Sequence, residues 1–392
     1  MESNPVPERR HPRRVSVLGS TGVIGRAACD IIERLPGELE VFALAAGSRA
    51  HELAEQVLRF RPRVVALADA TKQEELRERL GVSWSGTILL GPEAVEQVAG
   101  LAEADVVLNG VVGAAGLRPT WRALRAGKPV ALANKESLVI AGEFLTAEAA
   151  RWGGGILPVD SEHNALFQCL LGQPRGSLAR VVLTASGGPF RERPLDTFGA
   201  ITASEALRHP TWTMGPRITV DSSTLLNKGF EVIEARWLFD LEPERIDVWV
   251  HPQSIVHGLA EWVDGTITAI LSRPDMRLPI QSALCHPRRL PAGLPRCELA
   301  SLARLEFHPA DPQRFPCLSL ARRALAEGGT APAVLNGADE ELVGAFLAER
   351  IGFLEIAEGL ERVLDRRPAG SAGSLEAVLE ADRWAREEAR RV

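Results

Sequence analysis

Val15-Ser16-Val17-Leu18-Gly19-Ser20-Thr21-Gly22-Val23-Ile24-Gly25 is a short apolar run, then glycines every third residue, then the opening of a helical pattern. Glycine at such a junction permits a tight turn, and the free N–H groups of the helix start can approach a pyrophosphate. The spacing is G-x-x-G-x-x-G rather than the standard dinucleotide fingerprint, so the loop alone also fits a plain strand-to-helix turn. Its surroundings decide the fold. Apolar runs at 15–18, 41–46, 64–68, 106–108 and 130–133 read as strands and alternate with amphipathic stretches. That alternation predicts a doubly wound, Rossmann-like parallel sheet. The second strand ends in Gly47-Ser48-Arg49, where an NAD enzyme usually carries an acid for the ribose hydroxyls. Arginine there suits the 2′-phosphate of NADP, the alternative being a solvated surface arginine.

After residue 156 the pattern changes. Strands at 181–184, 248–250 and 266–271 mix with a long helix at 224–239, predicting a second, α+β domain. The stretch 286–295, with its prolines, reads as a linker, and 318–327, 340–349 and 375–391 read as helices of a C-terminal bundle. The expected organisation is α/β throughout. A Rossmann-like nucleotide domain spans 1–159, a central α+β catalytic domain 160–285, a linker 286–312 and an α-helical domain 313–392.

With 392 residues, 45% of them hydrophobic, the chain can bury several cores. A net charge of −6 argues against a general nucleic-acid partner. Five scattered cysteines with no C-x-x-C fit a reducing cytoplasm without structural zinc. The arginines at 9, 10, 13 and 14 precede a short strand rather than an apolar signal core, so the N-terminus reads as a disordered tail. No apolar run approaches spanning length, and a soluble protein is expected.

Asp160 and Glu162, in Pro158-Val159-Asp160-Ser161-Glu162-His163-Asn164, stand two apart after an apolar stretch. Read as a strand, the segment would turn both acids to one face as hard oxygen ligands for a divalent metal. The chain has no tyrosine, which excludes dehydrogenases that protonate an alkoxide with a Tyr/Lys pair, and its cysteine pattern excludes cysteine-liganded zinc. A metal would supply the missing electrophile. In Ser222-Ser223-Thr224-Leu225-Leu226-Asn227-Lys228-Gly229-Phe230-Glu231, helical spacing puts Asn227, Lys228 and Glu231 on one face. Taken by itself, that spacing fits a solvated Lys/Glu pair slightly better than a site. The hydroxyls of 222–224, read as a helix start, favour an anion there and a third metal ligand in Glu231.

Two loops fit a phosphorylated polyol, each with a plainer alternative. Ser186-Gly187-Gly188-Pro189-Phe190 offers a hydroxyl and close backbone approach, or an ordinary turn. His209-Pro210-Thr211-Trp212-Thr213-Met214-Gly215 reads as a lid over substrate, or as a satellite apolar cluster. His251 and His257, in apolar strand-like settings, read as satisfied core histidines.

Together with Leu132-Ala133-Asn134-Lys135-Glu136-Ser137, His251-Pro252-Gln253-Ser254-Ile255-Val256-His257 and Asn336-Gly337-Ala338-Asp339-Glu340, these motifs make the whole chain resemble the 1-deoxy-D-xylulose 5-phosphate reductoisomerase family. The resemblance implies that NADPH contacts Thr21, Gly22, Val23, Ile24, Gly47, Ser48, Arg49, Asn134, Glu136 and Gly215. It implies Mg²⁺ or Mn²⁺ on Asp160, Glu162 and Glu231, with Lys135, Ser161 and His209 at the substrate's carbon chain. It implies further that Ser186, Ser222, Asn227 and Lys228 take the phosphate, with Trp212 and Met214 in the lid. Two departures fall in the cofactor half: Val23 stands where the family often has serine, and Ser48-Arg49 replaces the more common Lys-Asn.

The implied reaction is metal-assisted rearrangement of 1-deoxyxylulose 5-phosphate to a branched aldehyde, then hydride reduction to 2-C-methylerythritol 4-phosphate in isoprenoid precursor synthesis. Lys135, Glu162, His209 and Glu231 are the expected catalytic residues of a cytoplasmic homodimer. Two rivals use the same residues: a metal-dependent sugar-phosphate isomerase without a redox step, and a nucleotide sensor without turnover.

Overall fold

The computed structural model describes residues 11–212 and 214–391. Arg9 and Arg10 of the basic tail, and Thr213 of the lid motif, lie outside the described residues. Contacts divide the described chain into two units. The first comprises 11–137, Leu145–Asn164 and Asp275–Pro295; the second comprises Leu138–Phe144, Ala165–Pro274 and 296–391.

The chain begins with β1 (Arg13–Leu18), α1 (Val23–Arg34), β2 (Leu39–Ala46), α2 (Ala50–Phe60), β3 (Val64–Leu67), α3 (Gln73–Leu80) and β4 (Thr87–Leu90). It continues through α4 (Ala94–Ala99), β5 (Val106–Asn109), α5 (Leu117–Arg125), β6 (Pro129–Leu132), α6 (Lys135–Trp152), β7 (Gly155–Pro158) and α7 (Ser161–Leu170). The seven strands form one parallel sheet in the order β4-β3-β2-β1-β5-β6-β7. Val15, Val17, Leu44, Val65, Val106 and Leu108 are sealed from solvent, as parallel strands covered on both faces must be. Strand order reverses between β1 and β5, and in such sheets the crevice beyond the strand ends at that reversal is the ligand site. Backbone packing there is tight. Gly19 has φ +72°, and a Cβ on it would lie 2.6 Å from the Gly110 oxygen; a Cβ on Gly25 would lie 2.3 Å from the Gly19 oxygen. These two glycines are therefore required by packing alone.

In the second unit come β8 (Leu178–Ala185), α8 (Ala203–Ala206), α9 (Pro216–Thr224), α10 (Leu226–Phe239), β9 (Ile246–Val250), β10 (Val256–Trp262) and β11 (Ile267–Leu271). Next is α11 (Arg277–Cys285), which belongs to the first unit, where Arg13 Nη1 donates to the Leu284 oxygen at 2.8 Å. The second unit resumes with β12 (His308–Pro309), α12 (Pro316–Glu327), α13 (Ala331–Leu347), α14 (Phe353–Arg366) and α15 (Leu375–Ala389). Its mixed sheet runs β11-β10-β8-β9-β12. One hydrophobic cluster joins Val181 and Leu183 of β8 and Phe230 and Ile233 of α10 to Ala321, Leu335, Leu360 and Ala385 of the C-terminal helices.

Two local expectations are corrected. The apolar stretch before Asp160 ends as β7 at Pro158, and Ser161 already begins α7. Asp160 and Glu162 thus do not alternate along a strand; Pro158 ends the ladder and the chain coils. The expected helix from Thr224 to Phe239 is broken at Leu225, whose φ of +59° makes it the left-handed end of α9 and the boundary of α10. Ser222, Ser223 and Thr224 therefore close a helix and do not open one.

Candidate active site

In the first unit, the acids sit where a helix start favours negative charge. The Asp160 carbonyl accepts from the Asn164 N–H at 2.8 Å, placing Asp160 at the N-cap of α7 with Glu162 in its first turn. Lys135, first residue of α6 and 9% exposed, brings Nζ to 2.6 Å from Asp160 Oδ2. Ser161 Oγ donates to Glu162 Oε2. His163, fully buried one turn on, has Nδ1 at 3.8 Å from Asp160 Oδ2. The motif by itself assigns His163 no role, although its three-residue offset from Asp160 is the spacing that brings the two together at a helix start.

The crevice residues are held differently. Asn134 caps α6 by accepting from the Ser137 N–H at 3.0 Å, while its Nδ2 donates to Val111 O, Gly113 O and Glu136 Oε2 at 2.8, 3.0 and 2.8 Å. Its side-chain amide thereby ties the loop after β5 to the start of α6. Thr21 is buried, Ile24 half-buried and Val23 half exposed, whereas Gly47, Ser48 and Arg49 lie open at the end of β2. Glu136 is half-buried.

The second unit brings together two of the residues expected at the phosphate, Ser186 and Ser222. Gly187 and Gly188 carry φ of +82° and +64°, and a Cβ on Gly188 would lie 2.8 Å from the Ser222 oxygen. The turn after β8 therefore runs against the end of α9, bringing the backbones that carry Ser186 and Ser222 together. Ser186 Oγ is 3.0 Å from His209 Nε2. His209 Nδ1 accepts from the N–H groups of Thr211 and Trp212 at 3.1 and 2.9 Å. An Nδ1 that accepts carries no proton, so Nε2–H is the donor to Ser186. Burial holds the His209 pKa below its ordinary value, in keeping with that neutral ring. Trp212 and Met214 are half-buried, the Trp212 ring centroid lying 6.4 Å from that of His257; Gly215 is exposed at the N-cap of α9.

On α10, Asn227 Nδ2 donates to Glu231 Oε1 at 2.8 Å and Lys228 Nζ to Glu231 Oε2. The side chains of Lys228 and Glu231 are 4% and 1% exposed, which removes the solvated-pair alternative. Burying an ion pair costs more than it returns unless the site needs the charges. Asn227 Oδ1 is buried without a hydrogen-bond partner. His251 and His257 are satisfied in the core: His251 Nδ1 lies 2.8 Å from Glu306 O and its Nε2 accepts from the Ile255 N–H, while His257 Nε2 is 3.0 Å from Ser272 Oγ.

A parallel doubly wound sheet with a glycine loop at its reversal point, in a chain that also carries carboxylates beside lysines, defines a nucleotide-dependent enzyme of the dehydrogenase class. The family model of 1-deoxy-D-xylulose 5-phosphate reductoisomerase matches residues 15–142, and the two models of its C-terminal regions match 156–239 and 271–388. The chain is 51% identical over 378 residues to the 1-deoxy-D-xylulose 5-phosphate reductoisomerase of Anaeromyxobacter dehalogenans, covering 96% of each chain. It is 51% identical over 379 residues to that of Thermomicrobium roseum, again covering 96% of each. Among solved structures, the Zymomonas mobilis reductoisomerase in complex with NADPH superposes with a TM-score of 0.92 at 40% identity, over 97% of this chain and 98% of that one. A reductoisomerase in complex with NADPH, fosmidomycin and magnesium does so at 0.92 and 37% identity, with the same coverage. The chain belongs to the 1-deoxy-D-xylulose 5-phosphate reductoisomerase family.

Proposed function

We propose that this protein converts 1-deoxy-D-xylulose 5-phosphate to 2-C-methyl-D-erythritol 4-phosphate with NADPH and a divalent metal, as a cytoplasmic homodimer. Among the described residues, no helix is long and apolar enough to cross a membrane. The observation that carries the reading is the Lys228–Glu231 pair, nearly sealed from solvent in the second unit of a chain from this family.

The residues fit a divalent metal and a nicotinamide nucleotide. Asp160, Glu162 and Glu231 are hard oxygen donors of the kind Mg²⁺ and Mn²⁺ select, and they would hold the ion. The ion supplies Lewis-acid polarisation of the substrate's carbonyl and adjacent hydroxyl. Thr21, Gly22, Val23 and Ile24 at the start of α1 would take the pyrophosphate, with Gly47, Ser48 and Arg49 at the adenosine end. Asn134, Glu136 and Gly215 would complete the cofactor contacts. Lys135, whose ammonium faces Asp160, would donate to oxygen charge developing on the substrate, while Ser161 and Glu162 orient its hydroxyls. His209, neutral with Nε2–H on Ser186 Oγ, would address the substrate's carbon chain from there. Ser186, Ser222 and Lys228 would bind the phosphate; Asn227, with its unpartnered Oδ1, would accept from a substrate hydroxyl nearby. Trp212 and Met214 would close the site against water.

The test follows NADPH absorbance with 1-deoxyxylulose 5-phosphate, with and without EDTA. Metal-dependent oxidation with formation of the branched polyol phosphate is expected. Rearranged product without NADPH consumption would instead establish an isomerase, and neither product nor oxidation a sensor. A phosphonate bearing a hydroxamate should compete with the substrate, since one end chelates and the other fills the phosphate pocket.

A further inference from the structure

Two guanidiniums in the first unit converge on a single neutral oxygen. Arg26 Nη1, from the first turn of α1, and Arg49 Nη1, from the N-cap of α2, both donate to the carbonyl of Thr21, Arg49 at 3.1 Å. Both side chains are exposed, and neither has a carboxylate partner among the described residues. Their neighbours behave otherwise: Arg34, also on α1, pairs with Asp30 at 2.9 Å, and Arg59 on α2 pairs with Glu33. Asp69, just past β3, lies beside this loop, its N–H donating to the Gly47 oxygen at 2.9 Å. Its carboxylate is turned away to the N–H and Oγ1 of Thr71, at 3.0 and 2.6 Å.

Two like charges drawn to one acceptor repel each other, and an anion between them would turn that repulsion into attraction. The end of β2 beside Arg49 is open: Gly47 is exposed, and a Cβ built on it meets nothing within 4 Å. The place is also the right one: in doubly wound folds the ribose of the adenosine half lies beyond the end of the second strand, next to the glycine loop.

We propose that Arg26 is a second cation for the 2′-phosphate of NADPH, clamping it together with Arg49 and so setting the preference for NADPH over NADH. The Thr21 carbonyl holds both guanidiniums in place before the cofactor arrives. A phosphate monoester brings nearly two negative charges and three acceptor oxygens, enough for both forks. NADH brings a hydroxyl there and leaves the two cations facing each other. The proposal rests on the reading of this loop as an NADPH site.

The test titrates the purified full chain with NADPH, NADH and 2′,5′-ADP by calorimetry, comparing wild type with Arg26→Ala, Arg26→Gln, Arg26→Lys and Arg49→Ala. Removing Arg26 should weaken NADPH and 2′,5′-ADP about tenfold and leave NADH unchanged, with Arg26→Lys retaining most of the affinity. The NADPH advantage should shrink as salt is raised. Equal weakening of both nicotinamide cofactors would make Arg26 a prop of the loop and overturn the proposal. An unchanged NADPH/NADH ratio in both Arg26→Ala and Arg26→Gln would overturn it as well. If Arg49→Ala alone moves the ratio, the Arg26 assignment falls while the NADPH site stands. A wild-type protein that binds both cofactors alike would bring down the cofactor reading itself.

Discussion

Each unit holds a lysine against a carboxylate, and the two pairs are built in opposite ways. Lys135 and Asp160 are 25 residues apart, meet at the starts of two helices, and keep 10% and 23% of their side chains exposed. Lys228 and Glu231 lie three apart on one helix, with 4% and 1% exposed. The first pair is assembled by the fold and keeps access to water, so its partners can exchange when a ligand arrives. The second is assembled by helix geometry and then sealed, so removing one charge leaves the other in a nearly water-free setting. Similar chemistry thus carries different liabilities: losing Lys135 or Asp160 should hurt function, and losing Lys228 should also hurt folding.

The largest effect should come from breaking the sealed pair on one side. Lys228→Met leaves Glu231 charged and buried, and chemical denaturation should show a loss of about 3–5 kcal/mol. The double variant Lys228→Met/Glu231→Leu should recover most of that stability without recovering turnover. A single variant as stable as wild type would mean the pair is not a desolvated one. Glu231→Gln keeps the shape and the Asn227 contact, so turnover should vanish while NADPH affinity holds; unchanged turnover would remove Glu231 from the site.

A smaller stability effect is expected at the less deeply buried pair. Asp160→Asn should cost less unfolding stability than Lys228→Met, because the Lys135 and Asp160 side chains keep 10% and 23% of their surface exposed against 4% and 1% for Lys228 and Glu231. Turnover should nonetheless drop by about 10²-fold or more if this carboxylate helps hold the Lewis acid. Equal losses of stability at Asp160 and Lys228 would erase the distinction between the two pairs.

The smallest effect concerns His209 in the second unit. Its folded pKa lies below the ordinary 6.5 because burial penalises the imidazolium. In the window below 6.5 the unfolded chain binds more protons than the folded one, so stability must fall as pH falls through it. Wild type should therefore lose more thermal stability between pH 7 and pH 5.5 than His209→Gln does. The same acidification should displace Nδ1 from the Thr211 and Trp212 N–H groups, readable as a Trp212 fluorescence change that His209→Gln lacks.

Legibility in the sequence followed how local each feature is. The strands β1, β2, β3, β5 and β6 announced themselves because parallel strands buried on both faces read as unbroken apolar runs. β4 and β7 did not, since both are four-residue edge strands that are only partly covered, and β7 is bounded by Gly155 and Pro158. Asp160 and Glu162 were chosen as ligands on a strand argument that fails: they sit at a helix start, and two-residue spacing says nothing about a shared face there. For Asn227, Lys228 and Glu231 the helical spacing was sound, while the hydroxyls of 222–224 were assigned to the wrong end of a helix. Only the left-handed Leu225 divides that stretch, and no residue preference marks a leucine for that conformation.

By itself the sequence determined the doubly wound first unit, the acids and lysines available for chemistry, and membership of the family. These rest on patterns a few residues long, in which each residue reports on neighbours within a turn or a pleat. Tertiary structure alone decided that Lys135 faces Asp160 and that the end of α9 meets the turn at Gly188. It alone brought Arg26 and Arg49 to one carbonyl, 23 residues apart in a chain whose local patterns give no sign of it. Such pairings depend on where distant strands and helices end, which is settled by packing the whole sheet and not by any local preference.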